Sequence, residues 1–235
     1  MVFHFNEKVS RITTENHTAT GLETEKGKYP FDYIASNADI RPSYEKLLSQ
    51  EPAPTKLLNQ PKSSSGIIFY WGMDRSFDEL GVHNIFFSDD YQGEFKAIFE
   101  DKTINDDPTI YLHISSKVEK SDAPEGGENW FILMNVPANE GQDWDALVAK
   151  MRKNVMAKLA RNLGVDIEKH IVAEDLLDPR SIEARTSSGG GVEMRLVRSM
   201  STGSDVVGRR FLRRTSSRNA LRVIRHNQPS NEPGV

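Results

Sequence analysis

The sequence predicts an α+β fold, because strands dominate two separate stretches and one long helix follows them. Residues 2–35 and 66–136 contain short runs of apolar and β-branched residues bounded by turn formers. Residues 144–163 instead repeat apolar side chains at three- and four-residue steps, the period of an amphipathic helix. An apolar content of 37% is enough to build a core.

The chain opens with a predicted meander of three strands. Residues 2–12 and Thr18–Thr24 alternate between apolar and polar side chains, and the polar segment Glu15-Asn16-His17 joins them as a hairpin turn. The segment 25–30 contains a glycine and a proline and is predicted as a second turn. The third strand is predicted at Phe31–Ala35.

The exit from this third strand is the first candidate site. Ser36-Asn37-Ala38-Asp39 is a run of small and polar residues that directly follows the apolar Tyr33-Ile34-Ala35. In open α/β sheets, ligands bind beyond the carboxyl ends of strands, so this exit is expected to lie close to a ligand. The residues alone leave open an alternative, an ordinary strand end followed by a helix cap.

A short helix and a connector are predicted to follow. Apolar residues recur at helical spacing after Asp39, which is the expected cap. Three prolines and the run Lys62–Gly66 then indicate a connecting segment. We therefore place a domain crossing within residues 40–65.

The middle of the chain predicts a second sheet. Its most apolar strand is Gly66–Met73, where burying each large side chain is worth on the order of 1.5–3 kcal/mol. Such a strand either lies centrally in a core or faces an apolar ligand. Further strands are predicted at His83–Phe87, Thr109–Ser115 and Asn129–Val136, and a short helix or loop at Tyr91–Phe99.

The clearest predicted helix is Trp144–Leu163, with Asp143 as its amino-terminal cap and Gly164 as its stop. Its basic residues leave two interpretations open, a solvated face or contact with an anionic membrane surface. After the helix, residues 165–172 are predicted as a link and a short strand. Ala173–Pro179 is predicted to begin a short helical segment.

Charge divides the chain at about residue 188. From Gly189 onward there are nine Arg and three acidic residues, whereas residues 1–188 carry 21 basic and 31 acidic residues. This change of sign predicts that residues 189–235 are not part of the same folded unit. The absence of Cys excludes disulfides and a cysteine nucleophile.

No apolar run approaches the roughly 18 residues that cross a bilayer. We therefore expect a cytoplasmic protein, with peripheral contact on the inner face of the cell membrane as the alternative.

Six stretches carry a resemblance to a known family. They are Ala19-Thr20-Gly21-Leu22-Glu23-Thr24, Ser36-Asn37-Ala38-Asp39, Gly66–Trp71, His83–Phe87 with Asp89-Asp90-Tyr91, Trp130–Ala138, and Asp178-Pro179 near Thr186-Ser187-Ser188. In this order they resemble the bacterial-type phytoene desaturases, which are FAD-dependent carotenoid oxidoreductases of the amine-oxidase-like type. The likeness covers nearly all of residues 1–188.

The resemblance implies an enzyme that removes a hydride from a long apolar polyene and passes it to FAD, or carries out a related isomerisation or oxidation. It implies an α/β flavoprotein fragment with part of an FAD-binding domain at 1–48 and a linker at 49–65. A substrate-binding domain of sheet and packed helices would occupy 66–188, and an Arg-rich tail 189–235. A helical lobe of such enzymes meets the membrane that holds the substrate.

The resemblance also implies cofactor-binding positions. Val9 corresponds to a residue whose backbone amide and carbonyl hold the adenine ring of FAD. Ser36, Asn37 and Ala38 correspond to positions near the dinucleotide portion of the flavin. Asn37 is equally explained as a turn residue.

Two strands have the composition to line a substrate tunnel, Gly66–Trp71 and Trp130–Met134. The alternative for both is a plain core strand. The predicted substrate-lining residues are Ile68, Tyr70, Phe131 and Leu133. No catalytic residue is identified.

The glycine-rich turn G-x-G-x-x-G that holds the FAD pyrophosphate in this family does not occur in residues 1–40. The family's glycine- and histidine-containing flavin segment is also missing after Ser188. We therefore expect the chain to be the interior of a carotenoid oxidoreductase, begun at an internal Met and out of frame beyond about residue 188. The chain alone is predicted to be inactive.

Two other classes of function remain open. The first is binding to nucleic acid or an acidic surface through the Arg-rich tail, which has one aromatic residue and no recognisable nucleic-acid fold. The second is a noncatalytic carrier of an apolar ligand. A metal site is not expected, because His83, His113 and His170 lie far apart in the sequence without metal-ligand spacing.

Overall fold

A computed structural model describes residues 2–186 of the protein. The described chain forms two compact units, the first ending at Gln60 and the second beginning at Pro61. Helices and antiparallel sheets are both present, so the predicted α+β class is confirmed. Residues 187–235, on which the predicted Arg-rich tail falls, lie outside the described part.

The first unit contains a three-stranded antiparallel sheet in the order β1-β2-β3. Its strands are β1 (Val9–Glu15), β2 (Thr18–Thr24) and β3 (Gly27–Pro30). Asn16 and His17 have φ of 48° and 60°, the left-handed conformation that a two-residue hairpin turn requires. The predicted hairpin is confirmed, although its first strand begins at Val9 and not near residue 2.

The predicted strand at Phe31–Ala35 is wrong, and so is the turn predicted over the whole of 25–30. The third strand is Gly27–Pro30, because a turn of only two residues lets the next four pair with β2. Pro30 ends this strand, which lies at the edge of the sheet, so the N–H that proline lacks removes no hydrogen bond between strands. The N–H of the next residue, Phe31, forms one further hydrogen bond to β2, to the Thr20 carbonyl at 3.0 Å. The chain then leaves the sheet, and Ile34 enters a small core.

Short helices follow in this unit. Helix α1 (Ile40–Pro42) continues as a π-helical turn (Ser43–Leu47), and α2 (Thr55–Leu58) lies in the predicted connector. The predicted cap is confirmed, since the Asp39 carboxylate accepts a hydrogen bond of 2.8 Å from the Arg41 N–H. The core of the unit consists of Ile12, Ile34 and Leu48 with partly buried neighbours.

The second unit is built on a five-stranded antiparallel sheet in the order β5-β6-β7-β4-β8. The two longest strands, β4 and β7, are neighbours inside the sheet, and both were predicted from the sequence as strands. The strands are β4 (Ser65–Met73), β5 (His83–Phe86), β6 (Ile110–His113), β7 (Glu128–Val136) and β8 (Ile171–Leu177).

The helical start predicted at Ala173–Pro179 is wrong. Residues up to Leu177 form β8, because they pair with the free side of β4, and the helix begins only at Pro179. Proline is common at the first position of a helix, because the N–H that it lacks would have no carbonyl partner within the helix. The remaining helical segments are α3 (Tyr91–Lys96) with a π-helical extension (Ala97–Asp101), α5 (Pro179–Thr186), and 3₁₀ turns at Ser115–Lys117, Lys120–Asp122 and Ile167–His170.

Helix α4 (Trp144–Leu163) has the predicted bounds. The Asp143 carboxylate accepts from the Ala146 N–H at 3.1 Å, and Gly164 ends the helix with φ of 67°. Buried residues on its inner side, including Met151 and Val155, join the core formed by one face of the sheet. The position of α4 therefore distinguishes the two faces of the sheet.

Candidate functional site

The five-stranded sheet has one face in the core and one face opposite it. Successive strand residues point to opposite faces, and on β7 buried residues alternate with half-buried ones. The core face contains Ile67, Phe69, Trp71 and Met73 of β4 and Trp130, Ile132, Met134 and Val136 of β7, which cluster with residues of α4. We call the opposite side the open face; it carries Ile68, Tyr70, Phe131, Leu133, Tyr111, His113, His83 and Ile85.

The structure brings the four predicted substrate-lining residues together on the open face. Ile68 lies directly opposite Leu133 in the register of β4 and β7, and Tyr70 lies directly opposite Phe131. Opposed side chains on one face of an antiparallel pair are in contact range. The four residues therefore form one continuous patch, whose role in binding substrate remains a prediction.

An aromatic row extends this patch across four strands. The rings of Tyr70 and Phe131 meet edge to face with centroids 5.5 Å apart, and those of Phe131 and Tyr111 do so at 6.3 Å. The Tyr111 ring stacks with His83 at 6.1 Å. We call Tyr70, Phe131, Tyr111 and His83 the aromatic row. The row crosses four strands, and the three spacings between them give it a length of roughly 14 Å.

Exposure varies along the open face. Ile68 is 1% exposed, whereas Tyr70 is 37% and Ile85 54% exposed. Phe131 and Leu133 are half-buried between these extremes. Large exposed aromatic and aliphatic side chains that adjoin one another are typical of a surface that binds a partner or ligand.

A polar corner lies at the end of the row formed by β5 and β6. His83 and His113 are directly opposed in the strand register, and their rings stack with centroids 4.9 Å apart. A hydrogen bond of 2.8 Å joins His83 Nδ1 to the Tyr111 hydroxyl. These two histidines lie far apart in the sequence but are neighbours in space, because strand pairing joins them across 30 positions of sequence.

Sequence reasoning did not assign Tyr111, His113, His83 or Ile85 to the site. The alternation in Thr109–Ser115 would have placed Tyr111 and His113 on one face. The contact with β5 depends on strand register, which no local pattern reveals.

His170, the third histidine considered as a metal ligand, lies away from the other two and is hydrogen-bonded to the Asp74 carboxylate at 2.8 Å. Within residues 2–186, no cluster of three or more metal-ligating side chains occurs.

The predicted cofactor positions all lie in the first unit. Val9 is the first residue of β1, is half-buried and pairs with Thr24. Ser36, Asn37 and Ala38 are exposed and follow no strand, and the Ala38 N–H donates to Ser36 Oγ at 3.3 Å. These positions could contact a cofactor from the surface of the unit, and that role stays a prediction.

A polar cluster that the sequence did not indicate surrounds Glu7. Its carboxylate accepts hydrogen bonds from Thr24 Oγ1 at 2.8 Å and from the Tyr29 hydroxyl at 2.9 Å. His4 and Lys26 approach the other oxygen at 3.1 and 3.5 Å. Hydrogen bonds from Thr24 first, and Tyr29 next, lower the pKa of Glu7 to about 2.

We expect the first unit to lose stability in acid because of Glu7. A carboxyl whose pKa is lowered by folding contributes stability above its ordinary value near 4.5, and the contribution disappears as pH falls to about 2. The variant Glu7→Gln should be less stable at pH 7 and should lose less stability between pH 4.5 and 2. Far-ultraviolet circular dichroism during urea unfolding measures both. Glu25→Gln, which removes a carboxylate at an exposed turn position, is the control and should retain the wild-type stability at pH 7.

FAD fits the described residues only in part. Exposed backbone at Ser36–Ala38 could approach a dinucleotide, but residues 2–186 contain no G-x-G-x-x-G turn to hold a pyrophosphate. The first unit could therefore supply contacts at the edge of a flavin site, and not the phosphate-binding core of one.

Comparison with known proteins gives a consistent result. No protein-family model matches the chain. The chain is 46% identical over 189 residues to a 1-hydroxycarotenoid 3,4-desaturase of Flavobacterium sp. (strain P99-3), covering 80% of this chain and 39% of that protein. It is 32% identical over 196 residues to a 4,4'-diaponeurosporene oxygenase of Staphylococcus haemolyticus (strain JCSC1435), covering 81% and 39%. A Staphylococcus aureus (strain MRSA252) oxygenase of the same name is 31% identical over 198 residues, again covering 81% and 39%.

Among solved structures, an oxidoreductase from Methanosarcina mazei superposes with a TM-score of 0.49 at 13% identity, covering 72% of this chain and 36% of that one. The curated relatives are carotenoid oxidoreductases by name. The predicted resemblance is thereby confirmed, since the chain is similar in sequence to carotenoid desaturases and oxygenases. It spans about two fifths of the length of the curated relatives it matches.

In the part of the chain that the structure describes, no helix is long and apolar enough to cross a bilayer. The longest, α4, has charged residues along its length.

Proposed function

We propose that the chain is the polyene-binding part of an FAD-dependent carotenoid oxidoreductase that removes a hydride from a long apolar polyene. The observation that carries this proposal is the 46% identity with a carotenoid desaturase over four fifths of the chain. The aromatic row supports it, because flat aromatic side chains bind a conjugated hydrocarbon through dispersion and edge contacts.

In this proposal the second unit binds and orients the substrate. Phe131 and Tyr70 contact the polyene, and the half-buried Leu133, with the buried Ile68 beside it, provides the apolar wall that keeps water away from the polyene. When bound in the intact protein, FAD would accept the hydride. Val9, Ser36, Asn37 and Ala38 would contact its dinucleotide portion from the first unit.

Membrane contact is also part of the proposal. A long polyene hydrocarbon partitions into the bilayer, so its enzyme must collect it there. We expect peripheral contact, which the exposed apolar residues Ile85 on the open face and Phe87 just after β5 would support. Because the chain covers 39% of its desaturase relative, we expect it to show no activity by itself.

A chimera tests the proposed function. The segment of the Flavobacterium desaturase that matches this chain would be replaced by the matching residues of this chain, and polyene dehydrogenation would be followed by absorbance. We expect the chimera to bind flavin and to lengthen the conjugated system of the polyene. The same chimera with Phe131→Ala is the matched control and should bind flavin but convert less substrate. A folded, flavin-loaded chimera that binds polyene and never dehydrogenates it would favour a noncatalytic carrier instead.

A further inference from the structure

The open face is chemically asymmetric. Ile68, Leu133, Phe131 and Tyr70 form its apolar and aromatic part on β4 and β7, and the polar corner of His83, Tyr111 and His113 lies on β5 and β6. The two parts are contiguous, because Phe131 is directly opposite His113 in the strand register.

The polar corner is preorganised. Stacking fixes the two imidazole rings against each other at 4.9 Å, and the bond to His83 fixes the Tyr111 hydroxyl. Each partner keeps hydrogen-bonding capacity, since an imidazole has a second ring nitrogen and a phenol oxygen can both donate and accept. Among residues 2–186, no group forms a hydrogen bond with either ring nitrogen of the half-buried His113.

The other flank of the row differs in chemistry, because a carboxylate and not a pair of stacked imidazoles lies beside it. Asp175 of β8 lies opposite Tyr70, but its carboxylate accepts a hydrogen bond of 2.8 Å from the N–H of the next residue, Leu176. The corner contains no lysine, arginine or carboxylate. Imidazole and phenol groups that donate and accept hydrogen bonds suit the oxygen of a hydroxyl or carbonyl group, and a bare hydrocarbon would leave them unpaired.

We propose that His83, Tyr111 and His113 determine specificity by hydrogen-bonding an uncharged oxygen, hydroxyl or carbonyl, at the end of a polyene that lies along the aromatic row. This inference rests on the proposed function, because it takes the open face as the polyene site. It adds the orientation of the substrate, with its oxygen-bearing end at β5 and β6 and its chain over Phe131 and Tyr70.

Two acyclic polyenes of equal length, one with a terminal hydroxyl and one without, test the orientation. Each is titrated into the full chain in detergent micelles while tryptophan fluorescence is followed. We expect the hydroxylated polyene to bind about five- to ten-fold more tightly, the effect of a net hydrogen bond or two. Tyr111→Phe, which removes a single oxygen, and His113→Phe should each reduce that ratio toward one.

Tyr91→Phe is the control, because this exposed tyrosine lies on α3 and not on the sheet. It should retain the wild-type ratio. Equal affinity of the wild-type chain for the two polyenes would overturn this inference and leave the proposed polyene site standing. A ratio that survives both corner substitutions would overturn the residue assignment, whereas failure to bind either polyene would overturn the proposed function itself.

Discussion

Replacing Phe131 by alanine should weaken polyene binding to the full chain by about 30-fold, or ~2 kcal/mol, as for a central aromatic residue of a binding surface. Phe131 lies inside the aromatic row and contacts a tyrosine ring on each side, Tyr70 at 5.5 Å and Tyr111 at 6.3 Å. Its loss would remove the largest apolar contact in the middle of the row and also release its neighbours. Titration with an acyclic hydrocarbon polyene measures the effect.

Tyr91→Ala is the matched control for this experiment, because it removes an exposed aromatic ring that is outside the open face. Its affinity should equal that of the wild type. Thermal melting of the Phe131 variant establishes that the sheet is still folded. If Phe131→Ala and Tyr91→Ala bound the polyene equally well, the aromatic row would not be the polyene site.

The largest loss of stability is expected from Glu128→Ala. The Glu128 carboxylate is buried and accepts hydrogen bonds from the Phe77 N–H at 3.0 Å and from Trp130 Nε1 at 2.8 Å. Lys117 Nζ lies 2.6 Å away and also donates to the Phe77 carbonyl at 2.7 Å. Alanine would remove the carboxylate partner of the half-buried Lys117 and leave the Trp130 indole N–H and the Phe77 N–H unpaired, and breaking a buried ion pair in this way costs about 3–5 kcal/mol.

Urea unfolding followed by tryptophan fluorescence measures this effect selectively, because Trp71, Trp130 and Trp144 all lie in the second unit. Asp106→Ala, which breaks an exposed ion pair with Lys150, is the control and should cost less than about 1 kcal/mol. The double variant Lys117→Met, Glu128→Leu should be more stable than Glu128→Ala, since it removes both charges together. A loss below about 1 kcal/mol for Glu128→Ala would contradict this account of the buried pair.

Local patterns were sufficient where one element determines its own structure. Helix α4 has a strong 3.6-residue period, an acidic cap and a terminal glycine, and both of its bounds were predicted correctly. The strands β4 and β7 were recognised from their own runs of branched and aromatic residues. Residues two positions apart on a strand share a face, so Ile68 lies with Tyr70 and Phe131 with Leu133.

Features that depend on pairing between distant segments were not predictable. The strand at Gly27–Pro30 forms because β2 is available as a neighbour, and residues 173–177 extend β8 because β4 has a free side. The polar corner required the register of β5 against β6, which joins His83 to His113. Strand register is set by the whole sheet, so neither histidine could be assigned from its own surroundings in sequence.

The cofactor positions Val9 and Ser36–Ala38 remain predictions. They rest on resemblance alone, because their contacts within the first unit are those of an ordinary strand end and an exposed turn. The assignment would gain support from a flavin-loaded chimera in which substitutions at Ser36 and Asn37 reduce flavin content. This readout is independent of turnover.

Hydroxyl-radical footprinting of the full chain, with and without saturating polyene, tests most directly whether the open face binds the substrate. Mass spectrometry would give the labelling rate of each aromatic side chain. We predict that polyene protects Tyr70, Phe131 and Tyr111, while labelling of the exposed Tyr91 remains unchanged. Unchanged labelling of Tyr70 and Phe131 under conditions where the polyene is bound would contradict the account.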